Sequence, residues 1–112
     1  MAKRGGIAVV GVTNTWVSGR SGYYMEMVAK EDLVGIHTVS CSRAVAPHGG
    51  IAPVFGTNPL AFALPSTRGP VVFDMGTSAF MLTDLYLRER RGEQLPEGVG
   101  LDAAGDRKST RL

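Results

Sequence analysis

Two short apolar runs, both rich in β-branched residues, set the frame of the chain. Residues 7–12 read IAVVGV and residues 33–39 read LVGIHTV, each bounded by glycine or polar positions. Uninterrupted apolar runs of this length are the pattern of strands buried on both faces. Between them Tyr24, Met27 and Val28 recur at helical spacing while Glu26, Lys30 and Glu31 point elsewhere, which predicts an amphipathic helix over about 21–31. Strand, helix and strand together predict a β-α-β unit with parallel pairing.

The pattern then changes. Residues 46–59 carry prolines at 47, 53 and 59 and glycines at 49, 50 and 56. Proline removes a backbone donor and restricts the residue before it, so an ordered connection is expected there and neither a helix nor a central strand. Residues 60–64 and 71–74 are brief apolar strands joined by the turn-rich PSTRGP, which predicts a hairpin. Residues 77–91 offer hydroxyl residues for a start, Phe80/Asp84/Leu87 and Met81/Leu85 at helical intervals, and Gly92 as a stop. Arg88, Arg90 and Arg91 then face the negative end of that helix, a structural role that accounts for them. No apolar periodicity follows. The expected class is α/β, a mixed β-sheet flanked by helices, over residues 1–92, followed by an irregular tail over 93–112.

Composition narrows the function classes. The 112 residues are 44% apolar and 20% charged, ordinary globular usage. The net charge of +2 is scattered over arginines and lysines and forms no stripe interleaved with aromatics, so nucleic acid is not an expected partner. The single cysteine, Cys41, excludes an internal disulfide and suits a reducing compartment, and the six apolar residues near the start are too few for a membrane span; the cytoplasm is the expected location.

Candidate chemistry is sparse. No G-x-G-x-x-G or Walker-type loop is present, which excludes the usual Rossmann and P-loop sites. His37 lies in an apolar run and reads as a hydrogen-bonded strand residue, and His48 lies in a Pro-Gly turn. Neither has a ligand-spaced partner, so no metal site is expected. Cys41 follows the second run with no base nearby and reads as inert toward nucleophilic catalysis. The stretch VFDMGTS ends a strand with Asp74 and continues into Gly76 and two hydroxyl residues. An acid so placed can accept hydrogen bonds from ribose hydroxyls, or it can simply cap a turn; the local residues leave both roles open.

The segments GIAVVGV, SGRSGYY, LVGI, APHGG, FGTNPLAFALP, VVFDMGTS and LPEGVGLDAAGD, in this order and spacing, resemble the middle section of the malate/L-lactate dehydrogenase family, covering about residues 5–106. The resemblance implies a non-Rossmann, homodimeric oxidoreductase using NAD or NADP on a small 2-oxo/2-hydroxy acid or cyclic imino acid, with residues 1–92 as a partial NAD(P)-binding domain. It assigns cofactor contacts to Cys41 and to Asp74, Met75 and Gly76, and leaves Thr57 and Asn58 of the Thr-Asn-Pro turn between contact and support. Three departures accompany it. The family's proton-transferring histidine aligns with Val17, which cannot move a proton, so no catalytic residue is assigned. Cys41 stands where a hydroxyl residue is usual. The family's flanking substrate motifs are also missing, so a fragment, or a non-catalytic nucleotide-binding or dimerisation protein, is expected.

Overall fold

The computed structural model describes residues 1–102 and 105; the end of the LPEGVGLDAAGD motif and the basic residues Arg107, Lys108 and Arg111 lie outside them. The elements are α1 (Ala2–Gly5), α2 (Ser21–Ala29), β1 (Gly35–Thr38), β2 (Leu60–Leu64), β3 (Val71–Met75) and α3 (Leu82–Arg91). They fall into two compact units. The first is Met1–Val39 with Pro59–Met75, and the second is Ser40–Asn58 with the described residues from Gly76 onward.

In the first unit the three strands form one sheet in the order β1-β2-β3, with α2 packed across it. The α/β class with a helix-covered sheet is that expected, and the hairpin forms as read. Its PSTRGP link is closed by Ser66, whose hydroxyl donates to the Gly69 carbonyl at 2.6 Å while the Gly69 amide returns to the Ser66 carbonyl at 3.1 Å.

Both strand pairings are antiparallel, and the parallel β-α-β unit is corrected. Residues 7–12 form no strand; Val9 is 92% exposed and no strand among the described residues pairs with this run. A strand needs a neighbour to satisfy its amides and carbonyls, and apolar composition alone does not supply one.

Register explains where the core sits. Gly35, Ala63 and Val72 are cross-strand partners, as are His37, Ala61 and Asp74, so these residues share the face beneath α2. Ala61 and Ala63 are both 0% exposed, and their small side chains let Met25 and Ala29 of α2 settle on them, with Val28 and Val72 packed alongside. This floor is narrow, which corrects the expected apolar face of the helix. Ser21, Gly22, Met25 and Ala29 are the buried positions, while Tyr24 and Met27 are exposed. The opposite sheet face presents Ile36, Phe62 and Phe73 in one row, the two phenylalanine rings stacked at 4.9 Å. Ile36 is 71% exposed, so β1 is buried on one face only.

In the second unit, residues 44–55 form an ordered connection closed by the antiparallel bridge Val45–Phe55. Helix α3 starts at Leu82, five residues later than the hydroxyl residues suggested. Thr77 directs both its amide and its hydroxyl to the Thr57 carbonyl, at 2.9 and 3.1 Å, and the Ser78 hydroxyl donates to the Phe80 carbonyl. Both hydroxyls thus lie outside the helix, bonded to carbonyls ahead of its first turn, and Met81 is left as an N-cap with no side-chain bond among the described residues. The far end follows expectation. Gly92 is left-handed at φ 64°, its amide reaches Glu89, the Glu93 amide reaches Arg88, and the three arginines occupy the last turn.

Candidate functional site

The sequence-derived candidates lie in both units. In the first, Asp74 is exposed near the end of β3, on the face that carries α2. Its carboxylate oxygen Oδ2 accepts the Gly22 amide at 2.6 Å, across 52 residues of sequence. The reason lies at the start of α2. Its N-cap is Arg20, which has no side-chain oxygen with which to accept a first-turn amide. Asp74 supplies that acceptor from the neighbouring strand and places its charge at the positive end of the helix. Gly22 favours this approach, since a Cβ there would sit 3.0 Å from Asp74 Oδ2 and 3.3 Å from Val72 Cγ1 and would make both side chains give way slightly. Met75 follows with its side chain exposed on the opposite face.

The loop leading into α2 holds Val17, exposed, beside Trp16 at 98% exposure. Arg20 closes the loop, its guanidinium donating twice to Glu26 Oε1 at 2.9 Å. That hydrogen bond holds the Glu26 carboxyl below its ordinary value and raises Arg20. His37 is half-buried and stacks on Tyr24 with ring centres 6.2 Å apart. Its Nδ1 is buried with no hydrogen-bond partner among the described residues, where a hydrogen-bonded strand histidine was expected. Ala61 lies between His37 and Asp74 in the strand register.

In the second unit the Gly-Thr-Asn turn at 56–58 gathers the remaining candidates. Asn58, at φ 35°, accepts the Cys41 amide on Oδ1 at 3.1 Å. Thr57, 8% exposed, donates its hydroxyl to Cys41 Sγ at 3.7 Å. Its carbonyl holds the Thr77 amide and hydroxyl, and so fixes the segment that begins with Gly76. Gly56 permits the close approach, because a Cβ there would lie 2.6 Å from Cys41 Cβ and 2.7 Å from the Cys41 carbonyl oxygen. A Cβ on Gly76 would collide with Met81 Sδ. Cys41 is thereby an exposed thiol on a turn anchored at its amide and its sulfur.

Sequence reasoning named Cys41, Asp74, Met75 and Gly76, left Thr57 and Asn58 between contact and support, and missed Gly22 and Gly56. Gly22 and Gly56 act by their lack of a side chain, which only a contact map exposes, and the supporting side of the Thr57 and Asn58 alternative is the one their bonds display. Among the described residues no cluster of three histidine, cysteine or acidic side chains could hold a metal ion. An open hollow beside α3, lined by Phe80, Asp84, Leu87, Arg88, Arg91 and Glu93, includes none of the candidates, and both of its arginines face Glu93.

The fold is shared with solved oxidoreductases. The Δ1-piperideine-2-carboxylate reductase from Pseudomonas syringae pv. tomato superposes with a TM-score of 0.76 at 37% identity, covering 81% of this chain and 28% of that one. A dehydrogenase from Sinorhizobium meliloti superposes with a TM-score of 0.79 at 33% identity, covering 83% and 27%. In sequence, the chain is 44% identical to the Δ1-pyrroline-2-carboxylate/Δ1-piperideine-2-carboxylate reductase of Pseudomonas putida, over 93% of its own length and 31% of that relative. It is 40% identical to the malate/(S)-sulfolactate dehydrogenase of Methanothermus fervidus, over 94% and 31%. This sheet, helix and turn are thus a portion of the fold seen in dehydrogenases and reductases of small acids. Residues 1–110 match the malate/L-lactate dehydrogenase family model, and the chain belongs to that family. It spans about a third of the length of the curated relatives it matches.

Proposed function

We propose that this chain is the cofactor-binding middle portion of a nicotinamide-dependent oxidoreductase that moves a hydride between NAD or NADP and a 2-hydroxy/2-oxo acid or cyclic imino acid, with Val17 at the loop position where the family's proton-transferring histidine aligns. The observation that carries the reading is the match over more than nine-tenths of the chain to enzymes named for both substrate classes. The residues present suit a nucleotide. Asp74 spends one carboxylate oxygen on Gly22, and its other oxygen can accept a ribose hydroxyl. Exposed Cys41 offers a small side chain, Met75 an apolar surface, and Gly76 bare backbone. When bound, the nicotinamide supplies or receives the hydride. The chain's own residues bind and orient it, and with Val17 in the loop no side chain there can transfer the accompanying proton. In this reading the protein is cytoplasmic and homodimeric and needs no metal; no helix among the described residues is long and apolar enough to cross a membrane.

Fluorescence titration of NADH and NADPH with the 112-residue chain tests the reading. A saturable enhancement is expected, weakened by Asp74→Asn; no enhancement with either nucleotide overturns it. Val17 favours a second reading, a non-catalytic nucleotide-binding or dimerisation protein. Placing Val17→His in a chimaera that carries a relative's flanking segments separates the two. The dehydrogenase reading expects turnover to rise by about 10²–10⁴-fold, the usual worth of general acid–base catalysis; an unchanged rate selects the second.

A further inference from the structure

We propose that the Gly-Thr-Asn turn at 56–58 is the positioning element of the nucleotide site, with Thr57 and Asn58 holding Cys41 and the Gly76–Thr77 segment in one ledge. The proposal rests on the cofactor-binding reading of Cys41 and Gly76. Its basis is a convergence of bonds on two adjacent residues. Asn58 Oδ1 takes the Cys41 amide, the Thr57 hydroxyl reaches Cys41 Sγ, and the Thr57 carbonyl takes both donors of Thr77. Residues 41, 57 and 77 are far apart in sequence, and these bonds are what bring the exposed Cys41 thiol and the Gly76 backbone to the same buried threonine. Thr57 is itself 8% exposed and Asn58 half-buried, so both act through the residues they hold. The Thr57 hydroxyl orients the cysteine side chain, and the Asn58 amide oxygen fixes the backbone that carries it. A ledge held on both sides meets a ligand without the entropy cost of ordering two loops.

The experiment uses the whole 112-residue chain with two readouts, the rate of Cys41 alkylation by iodoacetamide at fixed pH and the NADH dissociation constant from fluorescence. Thr57→Val keeps the side-chain shape and deletes the donor to sulfur. It is expected to slow alkylation about five-fold, the worth of one hydrogen bond to the reacting sulfur anion, and to weaken NADH. Thr57→Ser restores the hydroxyl and is expected to return both readouts to within about two-fold of wild type. Asn58→Gly keeps the positive φ, deletes the acceptor for the Cys41 amide, and is expected to weaken NADH as well; it carries the test if Thr57→Val fails to fold. An alkylation rate unchanged in Thr57→Val, or NADH bound equally by wild type, Thr57→Val and Asn58→Gly, overturns the positioning role. Failure of wild type itself to bind NADH or NADPH overturns the nucleotide reading instead, and the alkylation rates then decide whether Thr57 holds the thiol.

Discussion

Replacing Asp74 by alanine deletes the acceptor that Arg20 cannot provide at the start of α2. The Gly22 amide, buried and now 2.6 Å from a carboxylate oxygen, is left without its partner. Loss of an N-capping acceptor costs about 0.5–2 kcal/mol. The carboxylate's charge at the helix start adds roughly 0.3–1 kcal/mol, taken at the low end because Asp74 is exposed. A total of about 1–2 kcal/mol lowers the melting temperature of a domain of this size by roughly 5–10 °C, followed by far-UV circular dichroism. Asp74→Asn keeps an oxygen and loses the charge, and falls between the two. Amide exchange at Gly22 should quicken in Asp74→Ala before exchange quickens at the centre of β2. Melting of Asp74→Ala within about 1 °C of wild type would show that the cap contributes nothing and refute the argument.

Other outcomes follow from the same contacts. Ala61→Leu drives a large side chain into the fully covered floor beneath α2 and should cost about 1–3 kcal/mol, read from denaturant midpoints. Gly56→Ala should displace the Cys41 turn and change the iodoacetamide rate, because a Cβ there would lie 2.6 Å from Cys41 Cβ. Arg20 and Lys3 hold Glu26 and Glu31 below the ordinary carboxylate value of 4.5, so the two pairs stabilise the fold above that pH and the contribution is lost as pH falls through the lowered values. Acid melts of Arg20→Ala should therefore show a shallower decline below that pH than wild type. Lys3 is raised from 10.5 by Glu31, and its share is present below that pH and fades as pH rises through the raised value.

Local physics carried much of the architecture. The hairpin of β2 and β3 was legible because proline and glycine in PSTRGP forbid continuation of either strand, and the turn closes through Ser66 and Gly69 whatever lies around it. The extent of helix α2 was close to that expected although its buried face was not, and the Gly92 stop of α3 followed from the one residue type that takes a left-handed conformation without strain. The family was legible too, from motifs such as GTNPLAF and DMGTS. What an apolar run does with its surface was not. Residues 7–12 and 33–39 look alike in sequence, yet part of the second pairs with β2 while the first finds no strand partner among the described residues. Asp74 read equally as a ligand contact or a turn cap because its partner Gly22 lies 52 residues away and contributes only a backbone amide, which no side-chain pattern announces. The sequence by itself determined where the chain turns, where helices stop and which family it joins, because those depend on backbone freedom and motif order within a few residues. Only the tertiary structure decided which faces are covered, which carbonyl receives Thr77 and which oxygen caps α2. Those depend on groups brought together from distant positions, and a hydrogen bond between nitrogen and oxygen exists only when its two ends arrive within about 3 Å of one another.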